Sequence, residues 1–191
     1  MSETSFFDED EQAFMTGFLK KGYAIVPLAE RERLDRMRER VYARGLELLR
    51  LKGGKRPSLK DFFDHTERYL TPDKLNAFRL GMIEFLNHDA LLRPALYKMA
   101  RRHIQWAVGN EVAMQRTINL SVQLPKDDSS LLPLHSDVWS GNSPYELVLW
   151  LPLVDCFKTK SMYILERPKS ERIFKDFGKY KSFDAEKFYK T

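Results

Sequence analysis

The sequence predicts an α+β protein with helices first and extended segments after, and three observations carry that reading. Apolar residues recur at helical spacing from Asp8 to about Val108. After Gly109-Asn110 the pattern switches to alternation, with Thr117, Asn119, Ser121 and Gln123 interleaved with Ile118, Leu120, Val122 and Leu124. From Tyr145 to Val154 runs a nearly continuous apolar stretch rich in branched and aromatic residues, the composition of a strand buried on both faces.

Taken in order, Asp8 to Lys21 places Phe14, Phe18 and Leu19 at helical spacing and stops at Gly22. Tyr23-Ala24-Ile25-Val26-Pro27-Leu28 reads as a short strand over 23–28. Ala29 to Leu51 is a long helix with Leu34, Met37, Val41 and Leu48 on one face, ended by Gly53-Gly54. Leu59 to Tyr69 reads as a short helix and turn. Thr71-Pro72-Asp73 is a cap followed by proline at the first helical position, opening a helix to about Asn87. Asp89 caps another, bent by Pro94, that ends near Val108. Leu131 to Val138 can extend, Ser140 to Pro144 is a turn, and Ser161 to Leu165 is a last short strand. The tail from Arg167 is basic and aromatic with weak periodicity. The organisation expected is a mainly helical region over 1–110 and a β-rich region over 111–191.

The chain has 191 residues, 43% apolar and 31% charged, the profile of a folded domain rather than a disordered one. No run is long and apolar enough to span a membrane, and the acidic start MSETSFFDEDEQ has no secretory pattern. The one cysteine, Cys156, excludes an internal disulfide framework and a Cys-rich zinc site. A reducing, cytoplasmic setting and no membrane partner are therefore expected. The net charge of +5 is uneven: −3 over 1–28, +6 over 29–60, −3 over 61–157 and +5 over 158–191. Basic segments of this kind attract phosphorylated ligands or nucleic acid. Acidic residues interleave with the arginines between 31 and 50, which favours a solvated helix face over a nucleic-acid partner.

The candidate site is His135-Ser136-Asp137. On an extended chain, residues two apart point to one side, so an imidazole and a carboxylate converge. That is two-thirds of the two-histidine, one-carboxylate set that holds non-haem Fe(II) with positions left open for co-substrate and dioxygen. The tripeptide by itself is a short motif of low specificity.

Its context is more specific. Leu134-His135-Ser136-Asp137-Val138-Trp139-Ser140-Gly141 leads to Ser143-Pro144-Tyr145-Glu146, then Val148-Leu149-Trp150-Leu151-Pro152-Leu153-Val154-Asp155-Cys156 and Lys158-Thr159-Lys160-Ser161-Met162-Tyr163. This resembles the iron- and 2-oxoglutarate-dependent oxygenases of sporadically distributed bacterial carbohydrate-biosynthesis clusters, which are similar to the phytanoyl-CoA dioxygenase superfamily. The resemblance is strongest over 116–165 and extends to 8–28. It implies N-terminal helices packed on a double-stranded β-helix, a jelly-roll that is incomplete here. It implies Fe(II), 2-oxoglutarate and dioxygen as cofactor and co-substrates, and a small-molecule substrate, a sugar, a sugar nucleotide or a related metabolite. His135 and Asp137 would be catalytic metal ligands. Asn119 and Gln123 could line the co-substrate cavity, Lys160 could meet the 2-oxoglutarate carboxylate, and Trp139 and Ser140 would stand at the substrate entrance.

Members of the family add a second histidine and then an arginine on later strands. Here the other histidines, His65, His88 and His103, all precede the pair, and Arg167 and Arg172 come too early. The expectation is thus a chain lacking its C-terminal part and inactive alone, rather than one that recruits an earlier histidine. Two alternatives stand beside the oxygenase: a cupin-like jelly-roll that binds a metal or carbohydrate without oxygen chemistry, and a nucleic-acid module using 29–60 and 158–191.

Overall fold

Helical periodicity and well-placed caps produce six α-helices among the described residues of the computed structural model, which are 6–28, 30–128, 131–132 and 134–177. They are α1 (Glu9–Lys21), α2 (Arg31–Leu48), α3 (Leu59–Asp64), α4 (Pro72–His88), α5 (Leu92–Val108) and α6 (Arg167–Phe177). Helix α1 follows the rules at both ends. Asp8 accepts a hydrogen bond from the Glu11 amide at 2.7 Å, and Gly22 closes the helix at φ 84°. Acidic residues fill its first turn and lysines its last, which complements the helix dipole. Pro72 opens α4 as expected, and Pro94 falls in the first turn of α5, where a missing amide costs nothing.

The core lies between α2, α3, α4 and α5. Leu34, Met37, Val41 and Leu46 of α2 meet Leu75, Phe78, Met82 and Leu86 of α4, with Phe62, Leu70, Leu92, Met99 and Leu124 completing the cluster. Gly45 allows the closest approach. A Cβ built there would lie 2.4 Å from Cζ of Phe62, and that ring is fully enclosed and edge-packed against Tyr42 and Phe63. At the opposite corner the buried Asp89 carboxylate accepts from Arg40 of α2, Nε at 2.6 Å, and from the Leu91 amide at 2.9 Å. It thereby ties α2 to the turn between α4 and α5.

Helix α1 buries no residue fully. It docks on α5 through Phe14, whose ring centroid is 5.1 Å from His103 and 5.5 Å from Trp106. Arg102 lies 4.2 Å over the Trp106 ring and pairs with Asp10 of α1 at 3.4 Å.

The expected jelly-roll is not there, and the α+β class is corrected to a mainly helical one. Among the described residues there is no sheet, only one isolated antiparallel bridge between Phe157 and Lys160. The segment 117–124 is extended, and its burial alternates as its sequence does. Ile118, Leu120 and Val122 pack on the helical core and Leu124 is buried within it, while Thr117, Asn119, Ser121 and Gln123 are exposed. Helices supply the apolar surface that a second sheet layer was expected to provide. Periodicity records which side is buried and carries no information on a ladder partner.

The segment 23–28 likewise joins no ladder. In 145–154, expected to be buried on both faces, Leu149 and Trp150 are exposed and only Leu151 and Leu153 reach the core. Ser161 to Leu165 forms no strand, and Arg167 starts a helix that the sequence reading left without structure. No helix among the described residues is long and apolar enough to cross a membrane.

Two predictions follow from this packing. Overfilling a rigid core costs about 1–3 kcal/mol, more than the roughly 1 kcal/mol that alanine gains over glycine in a helix. Gly45→Ala is therefore expected to lower the unfolding free energy. Gly17→Ala, where a Cβ would meet nothing within 4 Å, should raise it by about 0.5–1 kcal/mol. Urea denaturation of both variants checks the pair, and a stabilised Gly45→Ala would contradict the close approach to Phe62.

The second concerns His103. Burial, helped by the neighbouring Arg102, holds its imidazole below its ordinary pKa. The folded state thus prefers neutral His103, and its contribution is intact above the unfolded value, about 6.5. It is lost as pH falls from there through the lowered folded value. Urea midpoints between pH 7.5 and 5 should fall in the parent chain and fall less in His103→Phe, which keeps a ring against Phe14 and Trp106.

Candidate functional site

The His135–Asp137 pair is set by local backbone. Ser136 is extended, φ −125° and ψ 138°, so its two neighbours project to one side. At Asp137 the chain enters a 3-10 turn, Asp137–Ser140, closed by Gly141 at φ 91°, so the turn begins before the expected Ser140 and takes in Asp137 and Val138, which were expected to extend. His135 Nε2 lies 3.6 Å from Asp137 Oδ1. That is beyond a hydrogen bond and within the reach of an ion pair if the imidazole is protonated. The imidazole is 35% exposed and the carboxylate 46%, so the pair lies at the surface rather than in the core.

The other expected site residues fall elsewhere. Asn119 and Gln123 are exposed on the side of their segment turned away from the core. Trp139 and Ser140 contribute backbone to the 3-10 turn, and their side chains lie outside the described residues. Lys160 reaches α3: its ammonium pairs with Asp64 at 3.5 Å and stands 5.8 Å over the Phe157 ring. Asp64 also accepts a hydrogen bond from Lys60, which, with Lys160 adding to it, holds the Asp64 carboxyl below the usual carboxylate range.

The earlier histidines do not join the pair. His65 ends α3 and faces Glu67 at 3.4 Å, His88 Nδ1 lies 2.8 Å from the Glu84 carbonyl, and His103 belongs to the aromatic contact with α1. Among the described residues, no group of three or more histidine, cysteine or acidic side chains comes together as a metal site. Cys156 is exposed rather than packed as a small core residue. Partial burial of its sulfur pushes the thiol up despite nearby Lys160, so it stays protonated and weakly nucleophilic near neutrality.

Sequence reasoning missed the contacts that carry the extended half. Asn87 of α4 brackets Ile118, accepting from its amide at 2.7 Å and donating to its carbonyl at 3.0 Å. Asp64 holds Lys160. A Lys60–Asp64 pair is legible at i,i+4 spacing, but neither long-range partner leaves any mark in local sequence. Comparison with family models, with curated proteins and with solved structures gives no match to this chain.

Proposed function

We propose that the chain serves a non-haem Fe(II) oxygenase reaction that uses 2-oxoglutarate and dioxygen, with His135 and Asp137 as metal ligands and a sugar-derived or related small metabolite as substrate. The observation that supports it is the convergence of Nε2 and Oδ1 to 3.6 Å across one extended residue. Two donors about 2.1 Å from one ion and at right angles to each other lie about 3 Å apart, so a small side-chain rotation seats both. The donor set, one imidazole and one carboxylate, suits a divalent first-row metal. Two ligands fit the group; a third is not among the described residues.

Bound Fe(II) would supply the dioxygen chemistry, and the protein would supply binding and orientation. Asp137 would contribute the anionic charge that offsets part of the ion's own. His135 would contribute a ring nitrogen, the neutral donor of the pair. A co-substrate carboxylate arriving at Lys160 would compete with Asp64 for the same ammonium.

Anaerobic titration with Fe(II), then with 2-oxoglutarate, tests the reading through the visible charge-transfer absorption of a chelated 2-oxo acid. The parent chain should develop that absorption. His135→Ala and Asp137→Ala should each weaken Fe(II) binding at least tenfold. Both side chains are partly exposed, so far-ultraviolet circular dichroism should stay unchanged. Fe(II) affinity that survives in the double variant would sink the assignment.

A further inference from the structure

The basic residues between 29 and 60 divide into two kinds. On α2 they are neutralised where they stand: Arg31 and Arg38 meet Asp35, Arg33 meets Glu30, Arg36 meets Glu32, Arg40 meets Asp89 and Arg44 meets Glu47. Beyond Glu47 the chain carries Arg50, Lys52, Lys55, Arg56 and Lys60 before the next acidic residue, Asp61. Lys60 is taken by Asp64. Among the described residues no carboxylate pairs with Arg50, Lys52 or Arg56, and all three are exposed. Arg56 leans on Tyr42, its guanidinium 5.6 Å from the ring centre and its Nε donating to the hydroxyl at 3.4 Å.

This loop is short and held at both ends. The Arg50 amide donates to the Glu47 carbonyl at 3.0 Å and the Leu51 amide to Leu46 at 2.9 Å. The Arg56 amide donates to the Gly53 carbonyl at 3.0 Å, and the Tyr42 hydroxyl donates to the Pro57 carbonyl. Arg50 and Gly53 both turn through the left-handed region, at φ 54° and 59°, and Gly53–Lys55 is a 3-10 turn. Gly53 is explained by its φ. Gly54 is not: its backbone is not left-handed, and a Cβ there would meet nothing within 4 Å. Neither packing nor conformation demands glycine at that position. What its bare backbone provides is open access to the main chain in a segment that carries Arg50, Lys52 and Arg56.

We propose that the loop 50–56 is a binding site for a compact polyphosphate group, such as the diphosphate of a nucleotide-linked small molecule. Charge-assisted hydrogen bonds from arginine and lysine are the strongest the protein can offer a phosphate. Nucleic acid is disfavoured by the same pattern. A duplex footprint needs cations spread along a stripe of several phosphates, whereas here the uncompensated charge stops at the loop because α2 neutralises its own arginines. The site stands on the loop alone and does not depend on the iron reading.

Calorimetric titration with inorganic pyrophosphate at low ionic strength, with EDTA present to exclude metal-bridged binding, tests it on the full chain. The parent should bind saturably at one equivalent. Arg50→Ala combined with Lys52→Ala should weaken binding at least tenfold. Gly54→Asp should do the same, placing a carboxylate among the cations at a position with room for it. Arg36→Ala on α2 and His135→Ala should bind as the parent does, and thermal melts of each variant establish that it folds. The proposal is overturned if pyrophosphate does not bind the parent, or if the loop variants bind it as well as the parent. It is also overturned if a mixed-sequence DNA duplex binds with a steep salt dependence and pyrophosphate fails to displace it.

Discussion

A single side-chain amide takes the place of a neighbouring strand. Asn87, near the end of α4, donates to the Ile118 carbonyl and accepts from the Ile118 amide, and its Nδ2 also donates to the Ile83 carbonyl of its own helix at 2.7 Å. Both backbone polar groups of one residue are thus satisfied, as a ladder would have satisfied them. The register of the segment follows. With Ile118 fixed, Leu120, Val122 and Leu124 fall on the helical core and the polar residues between them fall in water. A slip by one residue would turn Thr117, Asn119, Ser121 and Gln123 inward with nothing to receive them. The register of 117–124 on the helical half is therefore specified by hydrogen bonding at Ile118 and by apolar contact along the rest.

The helical half was legible because its signals are local. Gly22, Pro72 and the apolar stripes of α2 and α4 each act within a turn or two of the chain. In the second half, facing was legible over 117–124 and pairing was not. Alternation is a property of one segment, while a ladder is a relation between two, and the sequence of one does not contain the other. The run 145–154 misled for a related reason: apolar composition fits a strand buried on both faces, and here the run turns Trp150 to solvent while Leu151 and Leu153 reach the core. Helix α6 escaped notice because the aromatic and basic residues around it mask its periodicity.

The site was legible to the same depth. Convergence of His135 and Asp137 depends only on Ser136 being extended, so spacing alone anticipated it. The partner of Lys160 could not be anticipated, since Asp64 lies on a helix far back in the chain. The contrast between α2 and its following loop is also a matter of range. Most arginines on α2 find a carboxylate three or four residues away, which sequence spacing announces. Lys52, Lys55 and Arg56 have none within that distance, the one near Arg50, Glu47, is paired with Arg44, and folding brings none to Arg50, Lys52 or Arg56 among the described residues.

Local geometry and tertiary support contribute different things to a metal pair. Two polar side chains flanking one extended residue need no surrounding sheet to come within 3.6 Å. Affinity for an ion can therefore reside in five or six residues of chain. Orientation cannot. Productive oxygen chemistry needs ligands, co-substrate and substrate held to within fractions of an ångström by rigid neighbours. Between Leu124 and Leu151 the described chain makes no contribution to the buried core. Further along, the 157–160 turn is pinned to α3 by Lys160 and Asp64. The His135–Asp137 pair is thus set by a short stretch of backbone, while the precision a reaction would demand has to come from contacts of longer range than the pair itself.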